Sequence, residues 1–207
     1  MLELDPTVLP ASASPSAPEI PRPTRAEAEA AVRTLIRWAG DDPVREGLQD
    51  TPARVVRAYE EWFAGYRQDP AGVLSRTFGE VGGYDEMVLL RDIPLQSTCE
   101  HHLAAIRGVV HIAYLPNRRV VGISKLARLV EAFGRRLQIQ ERLTVEIADT
   151  LARVLQPRGV AVVVEASHDC LSSRGVRLHG VAMQTRRLLG EFAHEPRRAE
   201  ILATLAG

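Results

Sequence analysis

Two short stretches of the chain combine cysteine with histidine. Cys99 and His102 are three residues apart, and Cys170, the only other cysteine, follows His168 by two residues. Zinc accepts thiolate and imidazole ligands in a tetrahedron, and a catalytic zinc keeps three protein ligands and one open position. The sequence therefore predicts a site made of Cys99, His102 and Cys170, for which Zn²⁺ is the favoured ion.

Spacing alone leaves a second arrangement of this site open. His101 or His168 could supply a fourth ligand, which would close the site into a structural zinc centre. If both stay unbound, they lie beside a metal-bound water, and histidine titrates near neutral pH, which suits proton transfer. The three histidines elsewhere in the chain are interpreted as packed or surface residues: His111, His179 and His194.

Several cations surround these stretches in the sequence. Lys125 is the only lysine among 26 basic residues. It follows Ser124 at a predicted helix start, where backbone N–H groups favour an anion, and Arg128 lies one turn further on the same face. Arg174 follows the second cysteine by four residues, and Arg54 lies early in another predicted helix. A metal site with these cations indicates a phosphorylated substrate.

The composition indicates one globular domain with a short appendage. The chain has 207 residues, 45% of them hydrophobic, and its net charge of zero points to neither nucleic acid nor membrane as a partner. No apolar run approaches the roughly 20 residues of a membrane span. The N-terminal residues lack the features of a secretory signal, so a cytoplasmic protein with reduced cysteines is expected. Residues 1–23, rich in Pro, Ala and Ser, are predicted to be a flexible tail.

Hydrophobic periodicity predicts an α+β fold with helices on one face of an antiparallel sheet. Thr24 and Glu27 form a capping box that starts a helix ending near Gly40, and Thr51 with Pro52 starts the next helix. The later predicted elements are strands over 87–98, 107–116 and 118–123, a helix capped by Ser124 whose apolar stripe extends to Leu137, a helix over 141–155, strands over 160–167 and 181–192, and a helix over 197–206.

Five sequence motifs resemble those of the GTP cyclohydrolase I family, and together they span about residues 25–205. They are STCEHHL at 97–103, GISKLAR at 122–128, RRLQIQERLT at 135–144, PRGVAV at 157–162 and HDCLSSRGV at 168–176. The resemblance implies conversion of GTP and water to 7,8-dihydroneopterin triphosphate and formate, the first step of tetrahydrofolate and pterin biosynthesis. It also implies the tunnelling fold (T-fold) and a toroidal homodecamer with active sites at subunit junctions.

The resemblance also implies roles for individual residues. Cys99, His102 and Cys170 become the ligands of a zinc ion that activates water for attack on C8 of guanine. His101 and His168 become the proton-transfer residues. Gln140 and Glu141 match the guanine-recognition pair, and the positions that match the triphosphate and ribose contacts are Ser124, Lys125, Arg128, Arg174 and Arg54.

The resemblance divides the chain into a tail, 1–23, and a GTP cyclohydrolase I-like domain, 24–207. Within the domain we expect an N-terminal helical hairpin over 24–82 and the T-fold catalytic part over 83–207. Leu171, the stretch 103–106 and the more apolar stretch 177–185 depart from the family pattern. Two alternatives remain: a paralogue that runs the same reaction in a specialised, deazapurine-type pathway, and a non-catalytic zinc-stabilised scaffold. A zinc deaminase is excluded because the chain has no Cys-x-x-Cys motif.

Overall fold

The computed structural model describes residues 21–79 and 84–206. The chain divides into two compact units, one ending at Val56 and one beginning at Arg57. The predicted tail over 1–23 lies outside the described residues except for its last three. None of the described helices is long and apolar enough to cross a membrane.

The first unit contains helix α1 (Arg25–Trp38) and the start of helix α2 (Thr51–Trp62). As predicted, Thr24 and Glu27 form a capping box: the Thr24 hydroxyl accepts from the Glu27 N–H at 3.3 Å, and the Thr24 N–H donates to the Glu27 carboxylate at 2.7 Å. The chain leaves α1 at Gly40, whose φ of +94° is a left-handed conformation that favours glycine. Both helix starts were therefore predicted correctly.

The second unit is built on a five-stranded sheet, and its prediction as α+β is confirmed. In the sheet order β5-β2-β3-β6-β7, β5 is parallel to β2 and the other neighbours are antiparallel. The elements are α3 (Pro70–Val73), β1 (Thr77–Phe78), β2 (Val88–Cys99), β3 (Ala105–Leu115), β4 (Val120–Val121), α4 (Ile123–Gly134), β5 (Leu137–Gln138), α5 (Gln140–Leu155), β6 (Gly159–His168), α6 (Asp169–Ser172), β7 (Met183–Gly190) and α7 (Arg197–Ala206).

Helices α4 and α5 cover one face of the sheet and form the main core. The inward side chains of β3 alternate with outward ones, so Ile112 and Tyr114 belong to this core while Ala113 and Leu115 face the other side. On that other side a smaller apolar cluster includes Ile201 of α7. The prediction of helices on one face is therefore right for α4 and α5 and wrong for α7.

Three local predictions around α4 need correction. Ser124 does not cap the helix: the N-cap is Gly122, which has an extended backbone, and the Lys125 N–H donates to the Gly122 carbonyl at 2.8 Å. Leu137 lies in β5 rather than in the predicted apolar stripe of α4, because the helix ends at Gly134. The short strand predicted at 118–123 exists as β4, but it pairs with β1 and stays outside the main sheet.

Close contact between β3 and β6 depends on one glycine. Gly108 lies opposite Ala166, and a Cβ atom at Gly108 would come within 1.9 Å of the Glu165 carbonyl oxygen. Only glycine allows the two backbones to approach this closely. The same register pairs Ile106 with His168, so it brings the end of β6 to the beginning of β3.

Candidate active site

The three predicted metal ligands meet at one end of the sheet. Cys99 ends β2, His102 lies in the turn between β2 and β3, and Cys170 lies in α6 directly after β6. The turn is closed by hydrogen bonds from the Cys99 N–H to the Ala104 carbonyl at 2.8 Å and from the Leu103 N–H to the Cys99 carbonyl at 2.9 Å. The possible ligand atoms of the two cysteines and the histidine all lie within 4.8 Å of one another.

The chemistry of this cluster suits a divalent metal ion with soft ligands. Cys99 is buried, Cys170 is half-buried and His102 is exposed, and the Cys99 Sγ lies 3.9 Å from the His102 Nδ1. Burial, and then hydrogen bonding to Cys99, raises the pKa of the Cys170 thiol, so in the absence of a cation the thiol form is favoured. A bound cation reverses this preference. Two sulfurs and one imidazole fit zinc and leave a fourth position for water or substrate.

Arg174 contacts the same cluster. Its Nη1 lies 3.1 Å from the His102 Nε2. Because a guanidinium only donates hydrogen bonds, the His102 Nε2 accepts in this contact. The nearby positive charge also acts to lower the pKa of Cys170, against the larger effect of burial. One of the predicted triphosphate-binding cations therefore lies directly beside the candidate metal centre.

His168 is held by Gln140, the first residue of α5. The His168 Nε2 and the Gln140 Oε1 are 2.8 Å apart. Gln140 itself is buried, and its Nε2 is within hydrogen-bonding distance of oxygens on β6 and β7. Burial lowers the pKa of His168, and the negative charge of exposed Glu141 opposes that shift. His168, Gln140 and Glu141 are thus brought together as the motifs predict, but Gln140 faces the protein interior.

His101 lies exposed in the turn, with 65% of its side chain accessible. Its Nε2 lies 3.8 Å from the carboxylate of Glu100, which in turn forms an ion pair with Arg142 of α5 at 2.5 Å. No role was predicted for Glu100 and Arg142 from the sequence. Both lie inside the quoted motifs, and that position was the signal that they belong to the site.

The remaining predicted cations lie elsewhere in one chain. Ser124, Lys125 and Arg128 belong to the N-terminal part of α4, whose start lies beside Tyr114: the Val121 N–H donates to the Tyr114 hydroxyl at 3.3 Å. Tyr114 pairs with Val88 at the start of β2, whereas the ligand Cys99 is at the end of β2. Tyr114 is nine residue steps along β3 from Ala105, which pairs with the neighbour of Cys99, and these steps span roughly 30 Å.

Arg54 belongs to the first unit. There it forms an exposed ion pair with Asp50 at 3.1 Å. A role for Arg54 toward a substrate stays a prediction.

Comparison with known proteins decides the family of the chain. A family model described as GTP cyclohydrolase I matches residues 28–206. The chain belongs to the GTP cyclohydrolase I family. The resemblance predicted from the motifs is confirmed, and so is the prediction of an enzyme of this family.

Curated relatives named GTP cyclohydrolase 1 match the chain over most of its length. The protein from Maricaulis maris is 59% identical over 84% of this chain and 85% of that protein. The relatives from Allorhizobium ampelinum and Brucella anthropi are 58% and 56% identical, over 84% and 83% of this chain and 87% and 80% of those proteins. A solved structure titled archaeosine synthase QueF-Like in the apo form aligns with 52% of this chain and 96% of that chain, at 20% identity and a TM-score of 0.44.

Most of the segment that departs from the GTP cyclohydrolase I pattern, residues 177–182, is an exposed loop beside the site, and residues 183–185 belong to β7. The loop follows α6 and leads to β7, and the Leu178 N–H donates to the Leu171 carbonyl at 3.0 Å. Leu178 and Val181 are 49% and 48% exposed. The apolar substitutions therefore lie on the surface immediately after Cys170, and they leave the metal cluster and the contact of His168 with Gln140 intact.

Proposed function

We propose that this chain converts GTP and water to 7,8-dihydroneopterin triphosphate and formate with a zinc ion bound by Cys99, His102 and Cys170. The observation that carries the proposal is the convergence of these three residues, from separate parts of the chain, next to His168 and Arg174. Zinc, when bound, supplies Lewis-acid activation of water at C8 of guanine. We further propose that the product enters tetrahydrofolate and pterin biosynthesis in the cytoplasm.

The reaction requires protons to move at several substrate atoms. One water adds at C8 and breaks the bond from C8 to one of the two imidazole nitrogens of guanine, which leaves a formamide; a second water breaks the bond to the other nitrogen and releases C8 as formate. One water is lost again when the pterin ring closes, so the net reaction consumes one water. Each of those nitrogens must gain a proton, and later ring opening of the ribose needs a proton at its ring oxygen. His168, whose neutral form is favoured by burial, takes and returns protons near C8, and exposed His101 serves the ribose oxygen.

Substrate binding is assigned to the polar and charged residues that match the family's substrate contacts. Exposed Glu141 accepts hydrogen bonds from the N1 and N2 donors of guanine, next to Gln140. Arg174 donates to a phosphate oxygen or to the ribose, and Arg54 adds a further cation. The backbone at the start of α4, with Ser124 and Lys125, binds the triphosphate together with Arg128.

We propose that each site combines two chains of a toroidal homodecamer. The reason is the separation of roughly 30 Å, along β3, between the end of the sheet that carries the metal cluster and the end near Lys125. An extended nucleoside triphosphate is shorter than this distance. A neighbouring copy can bring its own Lys125 and Arg128 to the metal cluster of the first copy. The T-fold part over 83–207 then supplies the metal cluster and the start of α4, and residues 24–82 form the helical hairpin.

Product analysis tests the proposed reaction. Purified protein of known zinc content is incubated with GTP, formate is quantified, and the pterin is detected by fluorescence after oxidation. The proposal predicts one formate per neopterin triphosphate. In the matched control, His168→Ala keeps its zinc and loses turnover. Bound zinc without either product, while another enzyme of the family is active in the same assay, would refute the proposal.

A further inference from the structure

Gln140 lies at the centre of a buried polar network. The residue is 1% exposed. Its Nε2 lies 2.8 Å from the Met183 carbonyl and 3.1 Å from the Val164 carbonyl, and it lies 3.2 Å from the Thr185 hydroxyl. A free side chain that recognises a ligand would instead keep donors or acceptors open toward solvent.

The surroundings determine which way the amide of Gln140 points. Two of the three oxygens near its Nε2 are backbone carbonyls, which can only accept hydrogen bonds. Rotating the amide by 180° would place its Oε1 against these carbonyls and leave buried acceptors facing each other. The NH₂ group therefore faces β6 and β7, and the Oε1 faces His168 at 2.8 Å.

Two threonines brace this orientation. The Thr144 hydroxyl donates to the Gln140 carbonyl at 2.7 Å. The hydroxyls of Thr144 and Thr185 are 2.6 Å apart, so the backbone and the amide of Gln140 are held by one connected group. Such a fully satisfied network has one favourable arrangement.

This arrangement determines the role of each nitrogen of His168. The Gln140 Oε1 accepts only, so the His168 Nε2 carries a proton and donates. In the neutral ring the lone pair then belongs to Nδ1, which has no hydrogen-bond partner within residues 21–79 and 84–206. We infer that Gln140 is a positioning residue that holds the ring and the tautomer of His168, so that Nδ1 is the nitrogen that exchanges a proton with the substrate.

The inference rests on the proposed function and changes one part of it. The family resemblance implies that Gln140 and Glu141 recognise guanine together. The structure assigns the side chain of Gln140 to His168 and leaves recognition of the base to Glu141. The two roles predict different kinetics, because a positioning residue acts on the chemical step and a recognition residue acts on substrate binding.

Steady-state kinetics of Gln140→Met separate these roles. Methionine keeps the length and apolar volume of the side chain and removes the amide. With GTP we expect kcat to fall about 10- to 100-fold, the range for partners that orient a functional histidine, and KM to stay within about twofold. The preference for GTP over inosine triphosphate, which lacks the 2-amino group, should not change. As a matched comparison, Glu141→Gln should raise KM and reduce that preference.

Several results would overturn the inference. They are an unchanged kcat in Gln140→Met, a raised KM with a normal kcat, or a lost preference for GTP over inosine triphosphate. If Gln140→Met fails to fold, Thr185→Val removes one support of the amide and should lower kcat at constant KM, whereas Thr185→Ser should restore it. A normal kcat in Thr185→Val would then contradict the inference.

Nitrogen NMR of the imidazole tests the tautomer without turnover. In the wild-type protein the His168 signals should show a protonated Nε2 and an unprotonated Nδ1, and in Gln140→Met they should show a mixture of tautomers. Full activity of His168→Ala would refute the proposed function itself. An inactive His168→Ala together with unchanged His168 signals in Gln140→Met would refute only the role of Gln140.

Discussion

A mixing experiment tests whether the site is built from two chains. Lys125→Ala removes a cation at the start of α4, and His168→Ala removes the proton-transfer residue next to the metal cluster. These residues lie toward opposite ends of the sheet, which are separated by roughly 30 Å along β3. We expect each variant alone to be nearly inactive, because all its sites carry the same defect.

The expected activity of mixed oligomers follows from this separation. When equal amounts of the two variants assemble at random, half of the sites take their metal cluster from a Lys125→Ala chain, in which His168 is intact. Half of the sites take the start of α4 from a His168→Ala chain, in which Lys125 is intact. If each site takes its halves from different chains, about a quarter of the sites are wild type, and formate production should recover to about a quarter of the wild-type rate.

The assay uses two affinity tags, one on each variant, so that only mixed oligomers are purified. Zinc analysis confirms that both variants retain metal. The matched control mixes Lys125→Ala with Arg128→Ala, whose defects lie on the same half of the site, and we expect no recovery. Mixed oligomers of Lys125→Ala and His168→Ala with no more activity than the separate variants would show that the site lies within one chain, and would refute the reasoning.

Three further predictions concern the metal, the sheet and the pH dependence. Cys170→Ala should lose both zinc and turnover, whereas His168→Ala should keep zinc and lose about 10²- to 10⁴-fold in kcat. Metal analysis together with kinetics checks both variants. Zinc retained by Cys170→Ala would contradict the proposed set of ligands. Gly108→Ala should lower the free energy of unfolding, measured in urea, by about 1–3 kcal/mol or more, because its Cβ would meet a backbone carbonyl of β6 at 1.9 Å. As a control, Gly79→Ala places its Cβ in open space, and its free energy of unfolding should stay within about 0.5 kcal/mol of wild type. Burial lowers the pKa of His168, and the negative charge of Glu141 raises it. Glu141→Gln should therefore lower the pKa of His168 and move the acid limb of the profile of kcat against pH to lower pH. A move of that limb to higher pH would contradict this cause.

Local signals in the sequence predicted most elements correctly. The capping box at Thr24 specifies a helix start within four residues, and the structure has that start. The short apolar stretch after Gly159 predicts β6 because it is rich in β-branched residues and follows the turn residues Pro157 and Gly159, a combination that favours a buried strand. The final helix was predicted over 197–206 and has those bounds.

The predictions that failed depend on contacts between distant residues or on backbone conformation. Ser124 is a good cap by residue type, but the extended backbone at Gly122 starts the helix earlier. The pairing of β4 with β1 joins segments more than 40 residues apart, and no local pattern reveals it. The position of α7 on the second face of the sheet likewise depends on which apolar side chains remain uncovered.

The site, like the fold, was predicted from the sequence only where local motifs determine it. The motifs identified the residues at its centre, and the register of β3 with β6 brings Cys170 to Cys99. The motifs could not show that Gln140 faces inward, because its burial depends on carbonyl groups of β6 and β7. They also could not show that Lys125 and the metal cluster lie toward opposite ends of the sheet, since that follows from the topology.

The most direct test of the account is a zinc titration of metal-depleted protein in the presence of GTP. The protein is stripped with a chelator, zinc is added in steps, and formate is measured with the amount of bound metal. We predict that formate production rises linearly and stops at one zinc per chain, and that Cys99→Ala neither binds zinc at these concentrations nor produces formate. Full formate production by the metal-free protein, or by zinc-free Cys99→Ala, would contradict the central claim that these residues bind the ion on which GTP turnover depends.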